Sequence, residues 1–189
     1  MKKNNITLIL LGLFLIVAIV LVSIKIINQD KVSTYLSSEQ TFILKAIDGT
    51  VFNLKAEKKK IMIEGMENKI VFLKVFGWDC TFCMKEVPEL IELQETLSDK
   101  FAVVAIEAQN HSRDKSKSEI EKHGINYPII FGQNQDEFYR YLQEQYGWTG
   151  IIPLTIVLST KGDVLAFELG KKSYSLSELF KSSLENKLL

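Results

Sequence analysis

Apolar residues run almost unbroken from Ile6 to Ile27, 22 positions with a single charge, Lys25, near the end. At 1.5 Å per helical residue the run covers about 33 Å, enough to cross a hydrocarbon core of about 30 Å. Lys2 and Lys3 precede it, so the positive-inside rule keeps the N-terminus cytoplasmic and exports the rest of the chain. The run exceeds a signal-peptide core and no small-x-small cleavage site follows, which favours an uncleaved anchor over residues 1–27. No cysteine lies near it, so a lipobox is excluded. Asn28 to Gln40 is polar and reads as a tether, leaving residues 41–189 as the exported domain.

Within that domain the hydrophobic period changes repeatedly. Thr41–Ile47 and Val51–Lys55 flank Asp48-Gly49, a hairpin signal. Lys58-Lys59-Lys60 reads as a solvated loop. Lys69–Gly77 (KIVFLKVFG) is nearly all apolar and predicts a central strand covered on both faces. Cys80 to about Leu97 predicts a helix with Cys83, Val87, Leu90, Ile91 and Leu97 on one side, kinked by Pro88. Phe101–Ile106 is a second buried strand. Ser116-Lys-Ser-Glu119 has the pattern of a capping box, opening a short polar helix that Gly124 stops. Tyr127–Phe131 predicts a short strand, and Phe138, Tyr141, Leu142 and Tyr146 recur at helical spacing before Gly147. Leu154–Leu158 and Val164–Leu169 flank Lys161-Gly162, a second hairpin. Ser175-x-x-Glu178 then caps a helix carrying Leu176, Leu179, Phe180 and Leu184 on one face. Strands alternating with helices imply right-handed crossovers and a mainly parallel sheet with helices on both faces, to which the terminal hairpin adds antiparallel strands, an α/β domain.

Composition narrows the classes. Basic and acidic residues balance at 23 each, and removing residues 1–30 leaves 20 against 22, a net charge of −2. That excludes a strongly basic nucleic-acid binder and an acidic disordered tail. With 47% hydrophobic residues the chain can bury a core. Two cysteines cannot build a disulfide-rich scaffold or supply every ligand of a cysteine-only zinc site.

Both cysteines fall in one motif, Cys80-Thr81-Phe82-Cys83, after a buried strand and at the opening of a helix. Free N–H groups and the helix dipole there favour a thiolate on Cys80, while Cys83, one turn in, faces the protein body. A zinc half-site would need His111 and His123, whose spacing of twelve is outside finger patterns, and both read as polar surface residues. A purely structural disulfide closing so short a loop would stabilise little. Phe82 reads as an apolar contact for substrate. Glu107, ending the second strand on the same side, is a candidate proton relay.

The chain resembles the thioredoxin superfamily, and within it the membrane-anchored TlpA/ResA-like branch. The resemblance rests on Phe42-x-Leu44-x-x-x-Asp48-Gly49, on Lys69–Phe76 followed by Cys80-x-x-Cys83-x-x-Glu86-x-Pro88, on Gly124-Ile-Asn-Tyr-Pro128, and on Tyr146-Gly147 with Pro153-Leu154-Thr155. It implies a thioredoxin-like fold with an N-terminal β-hairpin extension and an added helix, preceded by one transmembrane helix. Cys80 would attack and Cys83 resolve. Pro153 matches a proline whose preceding bond is cis and faces the disulfide, turning the backbone of Ile152 toward a substrate strand. Glu86 matches a carboxylate that tunes the pair in reductive members, although its helical position fits a solvent-facing glutamate equally. The resemblance implies no cofactor beyond the redox-active disulfide. Its implied partners are cysteine-containing exported proteins such as apocytochrome c, the membrane itself, and a transmembrane thiol reductase as electron donor. It places the domain on the extracytoplasmic, periplasmic face. Reduction of apocytochrome CxxCH for cytochrome c maturation is the expected function, with isomerisation of misbridged exported proteins as the alternative.

One departure bears on direction. The branch usually has Trp directly before the first cysteine; here Asp79 stands there, with Trp78 one earlier. A carboxylate beside Cys80 opposes its thiolate, and Thr81-Phe82 brings no cation to offset it. Strong oxidants need a stabilised thiolate, so electron donation or isomerisation is expected. A Sco-type copper module would need Cys-x-x-x-Cys and a histidine near residue 153, both absent. A peroxiredoxin would need Thr or Ser where Gly77 stands and an arginine for peroxide, with only Arg113 and Arg140 in the chain.

Overall fold

In the computed structural model, residues 14, 16–25 and 39–185 are described. Met1–Ser38 and Glu39–Leu189 are separate units. Residues 16–25 are helical, and most of the predicted tether and part of the apolar run lie outside the described residues. Among the described residues no helix is long and apolar enough to cross a membrane.

In the second unit the chain first makes β1 (Gln40–Lys45), β2 (Val51–Glu57) and β3 (Lys60–Ile63), an antiparallel three-stranded sheet. β1 and β2 are the predicted hairpin; β3 enlarges it. Lys58 takes a left-handed conformation (φ 49°), and its carbonyl accepts hydrogen bonds from the Tyr141 and Tyr146 hydroxyls at 3.1 and 3.0 Å. The lysine run is exposed to solvent as expected but is a fixed hairpin turn, after which Ile61 and Ile63 alternate into the core. Gly162 carries this sheet onto the second hairpin: its carbonyl accepts from the Ile61 amide at 2.7 Å. A Cβ there would come within 2.7 Å of the Ile61 carbonyl, and φ is +84°.

The second sheet contains β4 (Ile70–Phe76), β5 (Phe101–Glu107), β6 (Ile129–Phe131), β7 (Leu154–Leu158) and β8 (Val164–Leu169), in the order β6-β5-β4-β7-β8. β4, β5 and β6 are parallel, and β7 and β8, the terminal hairpin, add antiparallel strands as expected, so the sheet is mixed. The helices are α1 (Thr81–Thr96), α2 (Arg113–His123), α3 (Asp136–Tyr146) and α4 (Leu176–Glu185). β4 is buried along its whole length, and its side chains alternate between two cores. Val71, Leu73 and Val75 join Leu44, Leu54, Phe138 and Trp148. Ile70, Phe72 and Phe76 join Cys83, Leu90, Phe101 and Phe180. Phe101 makes edge-on contacts with Phe72 and Phe180 at 4.9 and 5.3 Å, each adding roughly 0.5–1.5 kcal/mol beyond burial.

Helix ends explain two further differences. α2 begins at Ser112, whose Oγ accepts from the Lys115 amide, not at Ser116. Ser116 is instead fully buried, and its Oγ accepts from Trp78 Nε1 at 3.0 Å. Gly124 ends α2 in the left-handed region (φ 63°), as expected. α1 passes continuously through Pro88, burying Cys83, Val87, Leu90 and Leu93, with Ile91 and Leu97 only half-buried. At α4 the predicted box forms: Ser175 Oγ accepts from the Glu178 amide and Glu178 accepts from Ser175. The Glu89 carboxylate adds bonds from the Leu176 and Ser177 amides, pinning α4 to α1.

Candidate active site

β4 ends at Phe76, and after three intervening residues the chain reaches Cys80, the N-cap of α1. Cys80 and Cys83 form a disulfide with Cα atoms 5.2 Å apart. The Cys80 sulfur accepts from the Cys83 amide at 3.2 Å, occupying one orphan donor of the first turn. Cys80 is half-buried, whereas Cys83 is buried against the α1-side core. No acidic residue stands in the first turn of α1. When the disulfide opens, the helix end therefore favours negative charge on the accessible sulfur.

Asp79 is exposed, but it is not uncompensated. Lys115 Nζ donates to its Oδ1 at 3.3 Å, and His111 Nε2 lies 2.9 Å from its Oδ2, outside hydrogen-bond angles. Lys115 above all holds the carboxyl below its ordinary range. The expectation of an unopposed carboxylate is corrected: a cation and a histidine arrive from beyond β5. His111 accordingly belongs to the site rather than to a remote polar surface, while His123 contacts Glu119 at 3.2 Å on α2.

Glu107 is buried at the end of β5, where its carboxylate accepts from the amides of Gln109 and His111 at 2.9 and 3.1 Å. It thereby shapes the loop whose Gln109 Oε1 accepts from the Asp79 amide at 2.8 Å. Its hydrogen bonds fit a loop anchor. Gly77 makes room for this clasp, since a Cβ there would lie 2.2 Å from Gln109 Oε1.

Glu86 is neither solvent-facing nor isolated. One oxygen receives Lys74 Nζ at 2.6 Å and the other receives Lys172 Nζ at 2.8 Å. Lys74 projects from the middle of β4 on the same face as Phe72 and Phe76, and also donates to Thr155 Oγ1 at 2.5 Å. Burial pushes its ammonium down from 10.5 to about 8, with Glu86 opposing and Lys172 reinforcing the shift. A lysine–glutamate–lysine cluster thus lies between α1, one turn beyond Cys83, and β7. The one signal for it was a lysine inside KIVFLKVFG, a strand covered on both faces.

The Ile152–Pro153 peptide bond is cis, Pro153 is buried, and its carbonyl accepts from the Gly170 amide at 2.8 Å. Ile152 packs against the apolar cluster that also borders Cys80. Phe82 is 45% exposed, with Lys85 and Lys171 Nζ 5.7 and 6.0 Å from its ring centroid. Arg113 is engaged elsewhere, donating to the Ile47 carbonyl at 2.9 Å, and Arg140 lies on α3 beside a cavity lined by Asp136, Tyr139 and Trp148.

A mixed five-stranded sheet with a Cys-x-x-Cys disulfide capping the helix after its central strand defines a thioredoxin-like protein. Residues 43–167 match the AhpC/TSA family, and the chain belongs to that family. It is similar to the thiol-disulfide oxidoreductase ResA of Bacillus thuringiensis (strain Al Hakam) and of Bacillus anthracis. Each is 25% identical over 118 residues, covering 62% of this chain and 64% of the relative. The chain thus matches under two thirds of the length of these curated relatives. In fold it is similar to a DsbF homologue from Corynebacterium diphtheriae (TM-score 0.58, 22% identity, 78% of this chain and 85% of that one). It is also similar to StoA from Bacillus subtilis (TM-score 0.55, 18% identity, 77% and 97%).

Proposed function

We propose that this protein is a thiol–disulfide oxidoreductase whose dithiol reduces disulfides of exported proteins. The observation that carries the exchange chemistry is the asymmetry of the cysteine pair: Cys80 is partly accessible at a helix N-cap and Cys83 is buried behind it. The reductive direction rests on the resemblance to the TlpA/ResA-like branch. In the reduced protein the Cys80 thiolate attacks a substrate disulfide, forming a mixed disulfide and releasing one substrate thiolate. Cys83, deprotonated, attacks the Cys80 sulfur, releases the second thiolate and re-forms the Cys80–Cys83 bond. Two electrons pass to the substrate, whose thiolates take up the two protons. No cofactor is needed beyond the disulfide.

The absence of a hydroxyl side chain at Gly77, together with Arg113 engaged at the Ile47 carbonyl and Arg140 on α3, argues against peroxide reduction. The apolar run Ile6–Ile27 supports a membrane anchor with the domain on the extracytoplasmic side, where a transmembrane thiol reductase would re-reduce the pair. Apocytochrome c is the substrate we favour, as the resemblance to the TlpA/ResA-like branch implies.

Cys83→Ser should trap substrates on Cys80 as mixed disulfides, and Cys80→Ser should trap none. Apocytochromes dominating the trapped set, with cytochrome c maturation lost on deletion, would support the full reading. Diverse multi-cysteine proteins with maturation intact would favour isomerisation instead. Equal trapping by both variants would overturn the assignment of roles.

A further inference from the structure

The rim of the disulfide carries more positive charge than the domain behind it. Phe82 sits between the two cysteines in sequence and exposes 45% of its surface, with the ammonium groups of Lys85 and Lys171 on its ring. A single exposed phenylalanine is ordinary, and so is one cation over a ring. Two cations on one ring repel each other, and neither Lys85 nor Lys171 makes an ion pair among the described residues.

Three of the nearby acids are already engaged, while Glu168, opposite Thr155 on β8, makes no ion pair among the described residues. Glu86 is held by Lys74 and Lys172, Asp79 by Lys115, and Glu89 by the first amides of α4. Residues 31–189 nevertheless carry a net charge of −2, so the surplus at this rim is local. Lys171 follows Gly170, whose amide donates to the Pro153 carbonyl, and Leu169 beside it is 43% exposed. Phe82 and Lys171 therefore continue the surface from Cys80 toward the Ile152–Pro153 segment.

We propose that this surface selects cysteine-containing segments with acidic side chains within a few residues of the cysteine. The acidic groups would sit between Lys85 and Lys171, and an apolar neighbour would cover Phe82. The inference rests on the exchange activity proposed above and names its substrate class. Three residues of extended chain span about 10 Å, which lets a carboxylate near the substrate sulfur reach the Phe82 rim.

The test uses the reduced full-length protein and three peptides, each closed by one disulfide and differing only in two flanking residues: Glu, Gln or Lys. At about 20 mM salt the Glu peptide should be reduced roughly three- to tenfold faster than the Lys peptide, as expected for two exposed charge contacts. The gap should close near 0.5 M salt, where the screening length falls to a few ångströms. Lys85→Glu/Lys171→Glu should invert the order, and Lys85→Gln/Lys171→Gln should bring the ratio close to one. The readout is the Glu-to-Lys ratio within each variant, which cancels any change in the intrinsic reactivity of Cys80. A ratio of one in the parent protein, or one unmoved by charge reversal, would overturn the proposal. Reduction of bis(2-hydroxyethyl) disulfide by the parent in that case would leave the exchange activity standing. Failure to reduce even this neutral disulfide would overturn both.

Discussion

Lys74→Met should change how stability depends on pH, and the size of the change follows from the structure. Lys74 is 2% exposed, with its ammonium held by Glu86 and Thr155 and with Lys172 on the far side of Glu86. Burial lowers its pKa from 10.5 to about 8. In the window between those values the unfolded chain binds a proton that the native protein has released. By linkage, stability therefore rises with pH across about pH 8–10.5. The lowering of about 2.5 in pKa corresponds to about 3 kcal/mol, carried as a penalty at pH 7. Roughly 2–3 kcal/mol of it is relieved by about pH 10. Burial pushes the hydroxyls of Tyr127, Tyr139 and Tyr141 up, so their ionisation in the unfolded chain acts in the opposite direction above about pH 10. The informative quantity is hence the difference between parent and variant, in which the tyrosines cancel. Methionine keeps the length and apolar stem, and Glu86 retains Lys172. Urea unfolding of the oxidised proteins from about pH 7 to pH 10 should show the parent gaining about 2–3 kcal/mol on the variant. A difference that stays flat across this range would refute the reasoning, because Lys74 would then titrate alike in both states.

Asp79→Asn should shift the Cys80 pKa by less than about half a unit, since Lys115 already compensates the carboxylate; Lys115→Met should raise it by more than Asp79→Asn lowers it. Thiolate absorbance of the reduced proteins against pH decides this, and a large downward shift in the Asn variant alone would refute it. Ser116→Ala should cost about 1–3 kcal/mol in urea unfolding by stranding the buried Trp78 Nε1–H; an unchanged midpoint would show that the indole finds another acceptor. Gly132→Ala should cost more than about 3 kcal/mol, because a Cβ there would lie 1.9 Å from the Glu107 carbonyl oxygen, which is backbone and cannot turn aside. A soluble, equally stable Ala variant would count against the close approach of β6 and β5.

What was legible in the sequence, and what was not, divides by distance along the chain. The β4–Cys80–α1 unit, both flanking hairpins and the final capping box are local patterns, and each forms where its turn residues and periods predict. β3 escaped because its turn contains no glycine or asparagine; two tyrosines about 85 residues away fix the Lys58 carbonyl instead. Ser116 resembled a cap by spacing, yet Trp78 uses its hydroxyl, and Ser112 four residues earlier supplies the cap. The electrostatics were the least legible. Asp79 looked unopposed beside Cys80 because Lys115 is 36 residues distant, and Glu86 looked solvent-facing because Lys172 is 86 residues distant. Sequence neighbours identify which sulfur is accessible, since that depends on a helix start one residue away. The charge balance around that sulfur is assembled from loops beyond β5 and β8, and it is this balance that biases a dithiol toward donating or accepting electrons. The tetrapeptide Cys80-Thr81-Phe82-Cys83 alone therefore carries little information about direction. The clusters Asp79–Lys115 and Lys74–Glu86–Lys172 are where substitutions should move the reduction potential.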